Sequence, residues 1–375
     1  MPVRSPGAMI LTHLALANIR NYAALDFVPE PGLNVFVGAN AQGKSNLLEA
    51  IALLGTGKSF RTSREAEIVR SGLPSASLWG EARVAAGEIR LSCTLSLGAA
   101  GLRKVYTVNG RGVRYASYLG KMRVVTFVPA HLGLLTGPPA ARRSLVNAAL
   151  AQESPGYYAA LAGYQRNLAH KNALLRGAIA PDETLLGTYD EHLIETGTKI
   201  ALARRAFVAA LDERAKAVYR SWIGDRDGEL DIAYASDVPA ETFTSDAFAA
   251  AFAARLEKKR VAEVSRRTAL VGPHRDDILF RLGGVALGPY GSQGQQRTAV
   301  LALKVAEYGV LEARAGEAPL LLLDDVLSEL DPERQGAFLR SVGTFEQAFV
   351  TTTHAVDMPV AATFRIAAAT LERVA

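Results

Sequence analysis

Residues Gly38-Ala39-Asn40-Ala41-Gln42-Gly43-Lys44-Ser45 fit the pattern G-x-x-x-x-G-K-[ST]. Glycines let a backbone wrap closely around phosphate, so that several N–H groups and the N-terminus of the next helix point at negative charge. In this pattern the lysine, Lys44, neutralises the β- and γ-phosphates, and the hydroxyl of Ser45 ligates Mg²⁺. An incidental glycine turn before a helix has the same composition, and context separates the two. Leu33-Asn34-Val35-Phe36-Val37 reads as a short strand after the Pro31-Gly32 break, and Asn46 to Leu54 reads as a buried apolar helix. Strand, loop and helix are the setting that phosphate binding needs. The expected cofactors are ATP and Mg²⁺, with nucleotide contacts at Gly38, Asn40, Gly43, Lys44, Ser45 and Asn46.

Outward from this loop the chain divides by texture. Before it, Leu14-Ala15-Leu16 and Leu25-Asp26-Phe27 look like short strands around a polar turn at Arg20-Asn21. After it, alternating segments from Leu78 to Val128, punctuated by Gly87, Gly98, Gly101 and Asn109-Gly110, suggest an antiparallel meander. From Arg142 to about Arg220 proline is scarce, and Tyr164, Leu168, Lys171, Leu174 and Leu175 recur at helical spacing. A looser acidic patch from Asp225 to Asp246 precedes another helix, Phe248 to Val264. Strand character returns at Ile278 to Leu282, and a helix from Gln296 to Ala315 leads to Leu320-Leu321-Leu322-Leu323. The expectation is an α/β ATPase lobe, with a mixed sheet and an antiparallel meander, split by a helical lobe. It assigns 9–128 and 265–375 to the first lobe and 129–264 to the inserted one.

The four leucines end in Asp324-Asp325. Such a strand must be buried on both faces, and ligands bind at its C-terminal end in open α/β sheets. Asp324 is placed to hold Mg²⁺ together with Ser45, and Asp325 to orient or deprotonate an attacking water, beside the catalytic lysine Lys44. A buried strand ending in a solvated acidic turn is the plain alternative, weakened by the phosphate loop upstream. Gly291-Ser292-Gln293-Gly294-Gln295-Gln296-Arg297 stands before the long helix, where serine and glycine make a second anion-binding surface. Alone it reads as an ordinary N-cap. In the order phosphate loop, serine–glycine turn, acidic strand, then Ser328-Glu329-Leu330-Asp331, the set is the layout of ABC-type ATPases. In those enzymes the signature segment, here Ser292, Gly294 and Gln295, completes the nucleotide site of another subunit. An aspartate at 325, one methylene shorter than the usual glutamate, predicts slow turnover.

Several further blocks carry a closer likeness. They are Asn18-Ile19-Arg20-Asn21-Tyr22, Lys58-Ser59-Phe60-Arg61, the stretch Pro129 to Leu145 with Gly137-Pro138-Pro139 and Arg142-Arg143, and Gly272-Pro273-His274-Arg275-Asp276-Asp277. Together with the Ser292 turn they resemble the RecF family of bacterial DNA replication and repair proteins, from about Leu14 to Thr353. The resemblance implies an SMC-like ATPase head without a long coiled coil. It also implies ATP-dependent homodimerisation on single-stranded or gapped duplex DNA, weak DNA-stimulated ATPase activity, and a role in recombinational gap repair and SOS induction with RecO and RecR. The chain departs from the family's usual acidic residues at Ala130, His131 and Asn147.

Other signals are weaker. His274-Arg275-Asp276 has the form of a kinase catalytic loop, but Arg281 stands where that loop needs asparagine. His354 lies where many ABC ATPases place a γ-phosphate-sensing histidine, and an ordinary loop histidine is an equal reading. Between Arg255 and Arg281 eight basic residues face four acidic ones. Lys258, Lys259, Arg260, Arg266 and Arg267 are the candidate DNA contacts, and a solvated helix face explains them equally well.

Composition bounds all of this. Of 375 residues 49% are hydrophobic and 21% charged, which excludes a disordered chain. The lone cysteine, Cys93, excludes a disulfide framework and suits a reducing compartment. The longest obvious apolar run stops at two aspartates, and Thr12 and His13 interrupt the N-terminal one, so a cytoplasmic protein is expected. A net charge of +5 permits a polyanionic partner without requiring one. Outside the resemblance two readings compete: the ATPase subunit of a transporter, and a nucleotide-binding scaffold without turnover.

Overall fold

Leu320–Asp324 is an interior strand of a six-stranded sheet ordered Thr370–Arg373, Ala362–Ala367, Gly32–Val37, Gln347–Thr352, Leu320–Asp324, Val124–Phe127. The computed structural model describes residues 7–374 except 178–180, 225, 327–334, 337, 339, 342–344 and 354–359. The strands run parallel apart from the terminal hairpin formed by Ala362–Ala367 and Thr370–Arg373. Side chains alternate across a strand, and the leucines obey that rule: Leu320 and Leu322 enter one buried cluster, Leu321 and Leu323 the other. Each such burial is worth roughly 1.5–3 kcal/mol. Register sets Asp324 beside Thr351, and Thr351 beside Phe36. The acid and the strand feeding the phosphate loop therefore meet at one edge of the sheet.

The P-loop helix, Lys44–Thr56, is buried along nearly all its length. It lies between the parallel sheet and an antiparallel sheet ordered Tyr22–Phe27, Ile10–Ile19, Ser75–Val84, Gly87–Gly98, Gly101–Val108, Arg111–Val113. Buried Gln347 joins the two layers, accepting from Leu11 N at 2.8 Å and donating to the carbonyls of Leu11 and Glu30 at 3.0 and 2.9 Å. The meander expected to reach Val128 ends at Val113, because Val124–Phe127 returns to the parallel sheet. A period of two marks a strand without saying which sheet it joins.

The other face of the parallel sheet shares a core cluster with the signature helix Gln293–Ala315 and, packed around it and one another, the helices Pro139–Glu153, Pro155–Leu175, Glu183–Ile223 and Ser245–Arg266. Side chains cap several of them: Ser154 accepts from Tyr157 N at 3.1 Å, and Asp182 accepts from Thr184 N and Leu185 N at 2.8 and 3.1 Å. Lys171, expected as part of a helical stripe, is fully buried and donates to Asp190 at 2.7 Å and Glu263 at 2.6 Å, joining three helices. The stretch read as a looser patch contains a strand, Leu230–Ala235, which pairs antiparallel with Asp277–Leu282 and extends to Val285–Ala286. Its acidic residues hid the alternation of Leu230 and Ile232, which are buried. Among the described residues no helix is long and apolar enough to cross a membrane.

Candidate functional site

Gly43 has φ 117°, and a Cβ there would stand 2.9 Å from Asn21 Nδ2 and 3.0 Å from Tyr22 Oη, so the loop needs glycine at this position. At Gly38 a Cβ would overlap the carbonyl oxygen of Ile366. The loop is pinned from both sides. Tyr22 Oη donates to the Gly43 carbonyl at 3.1 Å and Asn21 Nδ2 to the Gln42 carbonyl at 3.3 Å. Opposite them, Ala368 N donates to Gln42 Oε1 at 2.7 Å and Ala369 N to the Gln42 carbonyl at 3.0 Å. Lys44 Nζ curls over the loop to the carbonyls of Gly38 and Ala39, at 2.6 and 2.8 Å. Burial lowers the pKa of this ammonium, and the nearby carboxylates of Asp325 and Asp324 pull it back up. Lysine and both acids thus share one electrostatic neighbourhood. Ser45 is half-buried at the first turn of the helix, beside Asn46.

A buried carboxylate anchors that turn. Glu49 is fully buried on the P-loop helix and receives Arg20 bidentately, Nε at 2.8 Å and Nη2 at 2.7 Å, together with the hydroxyl of Ser59. Arg61 bonds to Asn46, and Asn46 Nδ2 donates to Asn21 Oδ1 at 2.7 Å. The Asn18–Tyr22 and Lys58–Arg61 blocks, distant in sequence, therefore close on the phosphate loop. Glu49 was missing from the expected site. Its signal was a carboxylate inside an apolar helix, which demands a buried partner.

Asp324 is buried, and its Oδ1 accepts from Thr351 Oγ1 at 2.9 Å. Asp325 N–H donates to the same hydroxyl at 2.8 Å, and Asp325 has φ 49°. That left-handed backbone swings the second acid off the strand's line. The register of the neighbouring strand brings Thr351 to this position. Ser45 and Asp324 supply hard oxygen donors, and among the described residues no group of three or more His, Cys, Asp or Glu side chains could hold a metal. That donor set fits Mg²⁺ held jointly with phosphate and water, not a closed protein cage.

Ser292 caps the signature helix in a capping box: its hydroxyl accepts from Gln295 N at 3.2 Å, and Gln295 Oε1 accepts from Ser292 N at 2.9 Å. Gln296 Nε2 donates to the carbonyls of Leu287, Gly288 and Gly291 at 3.2, 2.9 and 3.1 Å, which stiffens the turn in front. Ser292 is exposed and Gly294 half-buried. No hydrogen bond joins the described residues of this turn to those of the phosphate loop. His354 and Ser328 to Asp331 lie outside the described residues.

The remaining blocks meet elsewhere. Arg142 grips Asp277 through Nε at 2.8 Å and Nη2 at 2.9 Å, and Arg143 donates to the Asp276 carbonyl at 2.6 Å. Asp276 is buried, which raises its pKa, and its carboxylate accepts from Tyr234 and from Arg204 at 3.1 Å. Asn147 Oδ1 accepts from Tyr157 Oη at 2.6 Å and Arg204 Nε at 3.0 Å, so a neutral amide serves this arginine. Burial and Lys304 lower the pKa of His131 to about 3. Of the candidate DNA contacts, Lys258, Lys259, Arg266 and Arg267 are exposed. Arg260 is half-buried and bonded to Asp190, with Glu183 at 3.7 Å.

Known proteins resemble this chain in sequence and in fold. The family model for the RecF/RecN/SMC N terminal domain matches residues 10–369. The DNA replication and repair protein RecF of Symbiobacterium thermophilum is 42% identical over 94% of this chain and 93% of its own. That of Thermosynechococcus vestitus is 41% identical over 95% and 93%. A solved structure described as the recombination mediator protein RecF-ATP in the RecFOR pathway superposes with TM-score 0.92 at 31% identity, covering 100% of both chains. An Smc head domain from Pyrococcus furiosus, 15% identical with TM-score 0.55 over 98% of this chain and 96% of its own, shares the fold. This chain, an ABC-type ATPase head with a helical insertion, belongs to the RecF family of DNA replication and repair proteins.

Proposed function

We propose that this protein is an ATP-controlled DNA clamp, in which Mg·ATP bound to one copy is capped by Ser292 of a second. The observation that carries the proposal is that the lysine of the phosphate loop lies near two carboxylates while Ser292 stands exposed. Lys44 shares its surroundings with Asp324 and Asp325, while Ser292 stands exposed on a turn stiffened by Gln296. The roles follow from this chemistry. Gly38, Asn40, Gly43 and Asn46 shape the cradle, Lys44 balances phosphate charge, Ser45 and Asp324 hold Mg²⁺, and Asp325 orients the attacking water. Bound Mg²⁺ would offset charge on the transferring phosphate. Ser292, Gly294 and Gln295 bring a helix N-terminus to the partner's γ-phosphate. His354 is the proposed γ-phosphate contact. The proposed lobes are 9–128 with 265–375 and 129–264, joined across the second border by the pairing of Asp277–Leu282 with Leu230–Ala235.

DNA, RecO and RecR are the proposed partners. The support is the relatives' description as replication and repair proteins and the RecFOR pathway named for the solved one. Those relatives are not transporter subunits, which removes the reason to keep the transporter reading. ATPase assays with and without gapped duplex DNA across a salt series test the proposal. Turnover is expected to be slow, to rise with DNA, and to lose that stimulation steeply as salt increases. Turnover indifferent to DNA at low salt contradicts it.

A further inference from the structure

A cleft of about 610 Å³ opens between the C-terminal half of the P-loop helix, the helices Pro139–Glu153 and Pro155–Leu175, and the middle of the signature helix. Its volume suits a small organic molecule. The P-loop helix contributes Ala52 and Thr56 to the wall, and Thr56 lies roughly 16 Å along the helix from Ser45 at 1.5 Å per residue. No residue from Gly38 to Asn46 lines the cleft, although Lys58, Ser59 and Phe60, from the segment that braces the phosphate loop, do.

One wall is the edge of the parallel sheet. The Arg123 carbonyl accepts from Leu320 N at 3.0 Å, so alternate residues from 123 bond to the neighbouring strand. Val124 faces the other way: its N–H donates to Gln152 Oε1 at 2.8 Å and its carbonyl accepts from Gln152 Nε2 at 3.2 Å. The alternation turns Thr126 the same way as Val124, and Thr126 lines the cleft. A planar carboxamide already pairs with this edge at Val124. By the same alternation the Thr126 N–H and C=O point away from the neighbouring strand, on the side where Gln152 pairs with Val124.

The rest of the lining complements such a group. Tyr115 and Tyr158 are in edge contact, centroids 5.3 Å apart, and Lys58 Nζ stands 5.8 Å from the Tyr115 centroid. Lys304 and Glu307, both buried, pair with each other in the wall. His131 lines the cleft too, and its buried Nδ1 has no hydrogen-bond partner.

We infer that this cleft is a binding site for a small planar heteroaromatic lactam, whose adjacent N–H and C=O pair with the Thr126 backbone while its ring lies toward Tyr115 and Tyr158. Calorimetry and saturation-transfer NMR on the full-length protein test it, with 2-quinolone as probe and N-methyl-2-quinolone as the analogue lacking the donor. One 2-quinolone should bind per chain, and the methylated analogue should bind about tenfold more weakly or worse for want of one hydrogen bond. Ala148→Trp should abolish binding while leaving ATP binding unchanged, since Ala148 is exposed in the cleft wall. Should that variant fail to fold, Ser144→Trp, exposed on the same wall, gives the same readout. Equal binding of the two quinolones, undiminished binding in the filled variants, displacement by ATP, or no binding at millimolar probe would overturn the assignment. So would capture of an extended tetrapeptide without binding of the quinolone, which would make the edge a site of strand addition.

Discussion

The hydroxyl of Thr351 lies 2.9 Å from Asp324 Oδ1 and donates to it, while accepting from the backbone N–H of Asp325 at 2.8 Å. One side chain on the neighbouring strand thus fixes the carboxylate expected to hold Mg²⁺ and the backbone that aims the expected catalytic acid. Thr351→Val keeps the shape and removes both bonds. The variant should lose about 1–3 kcal/mol of stability, and its kcat should fall further than its ATP affinity. Thr351→Ser should restore both. Denaturant unfolding and steady-state turnover measure the two effects. A Val variant with unaltered kcat would free the acids from this hydroxyl.

The Arg20–Glu49 pair predicts a different signature. Glu49 is fully buried, so Arg20→Met takes away its bidentate partner and leaves it with Ser59 and with Arg61 at 3.8 Å. Removing one partner of a buried pair costs about 3–5 kcal/mol. Because the same glutamate receives Ser59 and sits one turn after Ser45, ATP affinity should drop as well. The double variant Arg20→Leu/Glu49→Leu should recover most of the stability but not the affinity, as read by denaturant midpoints and nucleotide titration.

Those two pairs show where the sequence was informative. The phosphate loop and the leucine strand were legible because their physics is local: glycines that must bend, apolar residues that must be buried on both faces. The place of Thr351 and the partner of Glu49 depend on register and on contacts across more than twenty residues, which no local pattern encodes. The same reason explains the strand Leu230–Ala235, disguised by acidic neighbours, and the return of Val124–Phe127 to the parallel sheet. Asn147 read as a departure from the family pattern, yet its amide oxygen still accepts from Arg204 at 3.0 Å.

Acid should weaken the fold through His274. Its Nδ1 bonds to Tyr164 Oη at 2.7 Å, and burial chiefly lowers its pKa to about 4. The unfolded chain takes up the proton near pH ~6.5. The contribution is therefore complete above that pH and declines as pH falls toward about 4, because the unfolded state binds more protons in that window. Urea midpoints between neutrality and the acid end of that window should fall less steeply for His274→Gln than for the parent. Parallel slopes would remove His274 from the acid response.

The basic helix separates into two kinds of residue. Lys258 and Lys259 are exposed, whereas Arg260 is bonded to Asp190. Lys258→Ala/Lys259→Ala should weaken DNA binding at every sequence and reduce the salt slope by about one for each phosphate that is no longer neutralised. Arg260→Ala should lower stability and leave that slope alone. Titrations with labelled gapped duplex at several salt concentrations distinguish them.

The most direct test of the two-copy nucleotide grip is sedimentation of Asp325→Asn with Mg·ATP, alone and combined with Ser292→Arg. Slowed hydrolysis should trap Asp325→Asn as an ATP-dependent dimer. Adding Ser292→Arg should return it to monomer with ATP still bound to each chain. Dimers that form equally well with the arginine in place would contradict the account.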